Sequence, residues 1–234
     1  MGKIMEIANR YQIPVIEDAA EALGSRYKGQ SVGSFGKMAA LSFNGNKIIT
    51  TAGGGALISN EEKLIVKARY LSTQARDQAP HYEHSQIGYN YRMSNILAGI
   101  GRGQLEVIDQ RINQRRDNFF FYKRNLENYD GIDFLEEPDE TYFSNHWLTT
   151  ILIDGKKIKQ TREDIQKALA KENIESRPLW KPMHLQPIFA SSPKYLNGTC
   201  EDLFNRGLCL PSGSNMSEED RKRVLNTLIK CLTV

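Results

Sequence analysis

Lys47 is the side chain in this sequence best placed for covalent chemistry. It follows the turn residues Asn44-Gly45-Asn46, behind the apolar run of residues 40–43. Ile48, Ile49, Thr50 and Thr51 come next, and then Gly53-Gly54-Gly55. The runs on either side read as strand-like. Glycines let backbone approach a ligand closely. Apolar flanks desolvate an amine and favour its neutral, nucleophilic form, the form that makes Schiff bases. The residues alone leave a second reading open, an exposed lysine in a β-turn. Asp18 is the next candidate, because ligands bind at the carboxyl ends of strands in open α/β sheets. It ends the apolar run Val15-Ile16, with Ala19 and Ala20 leaving room beside it. Its other reading is a helix cap for those two alanines.

A third group sits far downstream in R-P-L-W-K-P-M-H (residues 177–184), where two prolines stiffen the path and Arg177, Lys181 and His184 could face an anion. A proline-rich connector with solvated cations is the alternative there. His81 and His84 lack a carboxylate-backed ligand set at helical spacing, so no metal site is expected.

The elements that must position these groups follow from periodicity. Ile4, Met5, Ile7, Ala8 and Tyr11 have helical spacing, Pro14 ends that helix, and Val15-Ile16 begins a strand. A helix leading into a buried strand is the second half of a βαβ unit, so the start reads as N-terminally cut. Residues 25–34 form a hairpin with Lys28-Gly29-Gln30 at its turn. Residues 56–59 read as a strand, residues 60–72 as a helix, and residues 73–89 as a long polar loop. From Ser94 a long helix runs on through Ile96, Leu97, Ile100, Leu105, Ile108 and Ile112, and the aromatic stripe at residues 119–122 reads as core.

Asn128-Tyr129-Asp130-Gly131 breaks that pattern. The expectation is α/β, with one domain over residues 1–130 and a smaller α/β domain over 131–234. The second would hold a strand at residues 146–153, a helix at 161–172 capped by Thr161, a strand-like turn at 174–179 and a closing helix at 217–232. Ser217 followed by three acidic residues supplies the start of that last helix.

Composition excludes several classes. With 234 residues, a net charge of +3 and 25% charged residues, the chain has no basic stripe for nucleic acid. Three cysteines, odd in number and without C-x-x-C spacing, suit a reducing cytoplasm. No apolar run reaches membrane-spanning length, and no signal peptide is visible.

The blocks V-I-E-D-A-A-E-A-L-G (15–24), S-V-G-S-F-G (31–36) and S-F-N-G-N-K-I-I-T-T-A-G-G-G (42–55) resemble the DegT/StrS-type nucleotide-sugar aminotransferases. The resemblance continues through G-Y-N-Y-R-M-S-N (88–95), residues 177–184 and C-L-P-S-G (209–213), and is nearest to the subgroup that aminates UDP-linked 4-keto-6-deoxy sugars, as in bacillosamine synthesis. It implies part of a fold type I pyridoxal-phosphate transferase: a large domain with a mixed, mostly parallel sheet, plus a smaller C-terminal domain. It implies pyridoxal 5'-phosphate held as a Schiff base on Lys47, with Asp18 pairing the pyridinium nitrogen. Glu21 would lie near the ring hydroxyl, Ser42 would bind the cofactor phosphate, and Asn90 would reach that phosphate across a homodimer.

Arg177, Lys181 and His184 would border the nucleotide-sugar pocket, and Asn145 and Trp147 would help shape the sugar site. Ala52-Gly53 departs from the Gly-Glu found in many members. The implied reaction moves an amino group from L-glutamate to the C4 keto group of a nucleotide-linked 4-keto-6-deoxy sugar, for surface polysaccharide or glycan synthesis. The family's Gly-Thr phosphate loop and stacking aromatic would precede Met1. Two readings therefore stand: an aminotransferase without its N-terminal part, or a fragment acting at most as a binding or assembly module.

Overall fold

Chain order in the computed structural model, which describes residues 1–232, begins with α1 (Gly2–Arg10), β1 (Ile16–Asp18), β2 (Arg26–Tyr27) and β3 (Gln30–Ser31). Next come β4 (Met38–Ser42), β5 (Gly55–Ile58), α2 (Glu62–Ser72), α3 (Asn95–Leu105) and α4 (Ile108–Leu126). Then follow β6 (Ile132–Phe134), β7 (Tyr142–Phe143), β8 (Thr149–Ile153), α5 (Arg162–Lys171) and β9 (Arg177–Pro178). The chain finishes with α6 (Thr199–Arg206), β10 (Gly207–Leu210) and α7 (Glu218–Leu232).

These elements gather into two units. The first is Met1–Ile112 together with Glu137–Trp147, and the second is Asn113–Glu136 together with the chain from Leu148 onward. The units thus divide elsewhere than at residue 130. The reason lies in α4: beyond Ile112 it carries Phe119, Tyr122 and Leu126, all buried, and the last two join the second unit's core.

In the first unit, β4 is central to a sheet of order β1-β4-β5. It runs parallel to β1, with Asp18 opposite Ala40, and antiparallel to β5. Parallel pairing is confined to β1 and β4 among the described residues. Small side chains allow close packing here, since Ala19 and Ala39 are both fully buried. A second sheet, β3-β2-β7, is built on a tight hairpin whose central residues Lys28 and Gly29 both have positive φ, at 52° and 77°. Gly36 is required by close approach: a Cβ there would lie 2.6 Å from the Val15 carbonyl oxygen, which accepts the Lys37 N–H at 2.8 Å.

The helices of this unit bury little. Only Ala8 of α1 is buried, and α2 and α3 bury no residue. The single long helix expected from Ser94 is broken by a turn at Glu106-Val107, after an α3 that contains three glycines and is weakened by them.

The second unit is built around the antiparallel sheet β6-β8-β10-β9. Strand β8 alternates buried and half-buried residues, and all four residues of β10 are buried. Leu208 and Leu210 from β10 and Ile151 and Ile153 from β8 meet Ile165 and Leu169 of α5 and Val224, Leu225 and Leu228 of α7 in one core. Both of those helices start with reciprocal capping. Thr161 Oγ1 accepts the Asp164 N–H at 3.2 Å while Asp164 Oδ2 accepts the Thr161 N–H at 3.0 Å. Ser217 and Asp220 repeat the arrangement, both bonds at 3.0 Å. The strand expected at residues 146–153 begins only at Thr149, because His146 has φ 43° and residues 145–147 belong to the first unit.

Candidate functional site

The Lys47 turn is held by hydrogen bonds rather than by a strand on each side. After β4, Thr51 N–H returns to the Phe43 carbonyl at 2.9 Å, and Phe43 N–H donates to the Gly54 carbonyl at 3.0 Å. Residues 48–51, expected to be strand-like, are irregular. Their apolar and threonine side chains do not alternate: Ile48, Ile49 and Thr51 are all buried. The Gln104 side chain of α3 bonds both the N–H and the carbonyl of Thr50, with the N–H bond at 3.1 Å, and so takes the place of a neighbouring strand. Ala52 stands at φ 65°.

This scaffold places Lys47 Nζ 2.9 Å from Glu21 Oε1 and 4.2 Å from the centre of the Trp147 ring. The Lys47 side chain is 11% exposed, against 44% for Glu21. Its surroundings are therefore a carboxylate and an indole face as well as the aliphatic flanks. Asp18, at the carboxyl end of β1, accepts the Ala20 N–H at 3.1 Å. It is an exposed carboxylate that caps a turn, and no helix follows at Ala19-Ala20. Ser42 ends β4 on the same side of the parallel pair, and its Oγ accepts the Asn44 N–H at 3.4 Å. Asn90 is exposed on the loop after α2, where it forms an isolated antiparallel bridge with Thr73.

That loop is ordered around Asp77, whose carboxylate accepts from the Tyr70 hydroxyl at 2.7 Å and from the Ser85 hydroxyl at 3.0 Å. The Tyr70 hydrogen bond holds the Asp77 carboxyl below its ordinary range.

The cationic candidates downstream all belong to the second unit. Arg177 Nε donates to Glu175 Oε1 at 2.7 Å, and His184 Nε2 lies 2.7 Å from Glu201 Oε1. Lys181 is exposed. Arg177 and His184 are thus each engaged with a carboxylate. Glu201 titrates below its ordinary range, chiefly through its own backbone N–H and then through His184.

Three contributors to this geometry were not legible in local sequence. Glu17, not its neighbour Asp18, is the buried carboxylate of β1, and it accepts the N–H groups of Gly33, Phe35 and Gly36 at 2.7–2.8 Å. The period-two alternation of a strand is the one signal that could have separated the two. Gln104 and Asn145 are the others: neither carries a local motif, and Asn145 was expected only through the family resemblance, at the sugar site.

The chain can now be set beside known proteins. Residues 1–229 match the DegT/DnrJ/EryC1/StrS aminotransferase family. EpsN of Bacillus subtilis (strain 168), assigned as a pyridoxal phosphate-dependent aminotransferase, is 52% identical over 233 residues, which is 98% of this chain and 59% of EpsN. GDP-perosamine synthase of Escherichia coli O157:H7 is 38% identical over 94% of this chain and 58% of its own length. The structure of DesI solved with its TDP-sugar product superposes with a TM-score of 0.87 at 26% identity, covering 99% of this chain and 59% of that one. The chain spans about three-fifths of the length of these relatives. It has the mixed α/β fold of pyridoxal-phosphate aminotransferases and belongs to the DegT/DnrJ/EryC1/StrS aminotransferase family.

Proposed function

We propose that the protein to which this chain belongs is a pyridoxal-phosphate aminotransferase acting on a nucleotide sugar, with Lys47 as its reacting amine. L-glutamate is the proposed donor. The proposed acceptor is the C4 keto group of a nucleotide-linked 4-keto-6-deoxy sugar, in the cytoplasmic synthesis of a surface polysaccharide or glycan. The observation that carries the reading is the largely enclosed Lys47 amine held 2.9 Å from Glu21 beside the carboxyl ends of β1 and β4.

The residues present fit the cofactor in kind: an amine for its aldehyde, a carboxylate on Asp18 for its ring nitrogen and a hydroxyl on Ser42 for its phosphate. When bound, pyridoxal 5'-phosphate supplies the carbonyl that takes up the amino group and the ring that delocalises the electrons of the broken C–H bond. The chain's own residues do the rest. Lys47 Nζ would hold the cofactor through its aldehyde and, once free, would move the proton at the substrate carbon. Glu21 accepts from Lys47 and keeps the amine oriented while it is free. Asp18, at the strand end, would pair with the ring nitrogen and keep it protonated.

Asn90 reaches the phosphate from a second subunit, which makes the working form a homodimer with a composite site. Lys181, with Arg177 and His184 once they leave Glu175 and Glu201, meets the diphosphate of the sugar nucleotide. The net reaction exchanges the amino group and hydrogen of glutamate for the sugar's keto oxygen, leaving 2-oxoglutarate and a 4-amino sugar.

Borohydride trapping tests the reading. The purified chain is mixed with pyridoxal phosphate, reduced and mapped by peptide mass spectrometry. The label is expected on Lys47, with 2-oxoglutarate appearing on addition of L-glutamate before reduction, and Lys47→Ala is expected to lose both signals. Label spread equally over surface lysines in wild type and variant would overturn it. The alternative, a binding or assembly module, is favoured by one observation, the exposed apolar side chains of the first unit such as Ile7, Ile96 and Ile100.

A further inference from the structure

Lys47 and Glu21 sit on separate loops, and both loops are tied to the segment Glu137–Trp147 that returns to the first unit. Asn145 Nδ2 donates to the carbonyls of Glu21 and Leu23 at 2.9 and 3.0 Å, and its backbone N–H donates to Ser25 Oγ at 3.0 Å. Its remaining side-chain atom, Oδ1, accepts the Trp147 N–H at 2.9 Å, which couples the two residues. Trp147 Nε1 then donates to the Asn46 carbonyl at 2.7 Å, and its ring faces Lys47 Nζ. Asn145 and Trp147 are 3% and 6% exposed. Buried side chains whose polar atoms are all engaged are costly to misplace, so such a chain of bonds has one arrangement.

We propose that Asn145 and Trp147 are positioning residues that fasten the Glu21 loop to the Lys47 turn and hold the Lys47 amine between a carboxylate and an indole face. The inference rests on the reading of Lys47 as the reacting amine. A lysine side chain has four flexible carbons and no preferred direction. Here its backbone is fixed through the Asn46 carbonyl, and its ammonium is drawn to the ring face. The amine is thereby presented from the side away from the indole. Trp147 does two separable things, donation from Nε1 and attraction by the ring. Phenylalanine retains only the second.

The test uses the full chain without cofactor. Trace acetylation under competition measures the reaction rate of Lys47 relative to the exposed Lys156 in the same molecule, with circular dichroism melting as a check on folding. Trp147→Leu is expected to raise the Lys47 ratio about fivefold, and Trp147→Phe about twofold. In parallel, the pyridoxal phosphate concentration that gives half-maximal borohydride trapping at Lys47 is expected to rise about tenfold in Trp147→Leu and less in Trp147→Phe. A folded Trp147→Leu variant with both quantities at wild-type values overturns the proposal. If Trp147→Leu does not fold, Trp147→Phe decides, and an unchanged ratio there overturns it equally. Wild-type chain that traps no cofactor at Lys47 would sink the functional reading instead, and the acetylation ratio would still decide on the clamp.

Discussion

The two units solve the problem of stability differently. The second closes a core in which Ile165, Leu169 and Leu208 are fully buried between a four-stranded sheet and two capped helices. The first carries the lysine and the carboxylates, yet its three-stranded sheet is flanked by helices that leave Ile4, Ile7, Ile96 and Ile100 about half exposed or more. What rigidity it has around Lys47 comes from polar clamps, two buried and one half-buried: Glu17 on the 33–36 loop, Asn145 on the Glu21 loop, and Gln104 on Thr50. The difference teaches that a site can be locally rigid in a unit with little apolar core, provided side chains replace missing backbone partners.

The same type of truncation in both units tests this contrast. Leu169→Ala is expected to cost about 2–5 kcal/mol in urea unfolding. Ile100→Ala, on the half-exposed α3, is expected to change stability by no more than about 0.5 kcal/mol. Equal losses would mean that the α3 face is covered in solution and would break the comparison. An effect at the low end of the Leu169→Ala range is expected for Glu17→Gln, which keeps the size of the side chain but leaves one of the N–H groups of Gly33, Phe35 and Gly36 facing an amide donor. A loss of about 2 kcal/mol is expected, read by faster amide exchange at those positions. Unchanged exchange there would show that the loop holds itself and that the clamp account of the first unit is wrong.

The smallest effect lies in acid. Hydrogen bonds from Thr161 and Ser217 hold Asp164 and Asp220 below the ordinary aspartate value of 3.8. A folded-state value below the unfolded one means the contribution is present above about pH 4 and is lost as pH falls through the lowered values. The starts of α5 and α7 should therefore loosen first in acid titration followed by NMR, and Asp164→Asn should remove that response from α5 alone. An α5 that titrates identically in the variant would separate its capping from its acid response.

Features contained in a short stretch were legible in the sequence. The turn before Lys47, the strand end at Asp18 and the caps at Thr161 and Ser217 are each written within a few adjacent residues. The parts that escaped are non-local. Trp147 meets Asn46 across 101 positions and Asn145 meets Glu21 across 124, so no spacing rule connects them. The division of α4 between the two units is hidden for a related reason. Periodicity shows that α4 has an apolar face and does not say that Tyr122 and Leu126 serve a different core from Ile112. Helix α6 and strand β10 were likewise hidden, since four consecutive buried residues have no alternation to read.

The interleaving of the chain has a consequence for recombination between relatives. Any crossover placed between residues 113 and 136 transfers the Asn145–Trp147 segment along with the second unit, although the loops it fastens stay behind with the first. A hybrid gene joined there would pair one parent's Lys47 turn with the other parent's clamp. One joined at residue 148 would keep lysine and clamp from the same parent while building the second unit's core from one half of each parent. Exchange of the second unit between relatives is therefore easier by drift within it than by shuffling it whole.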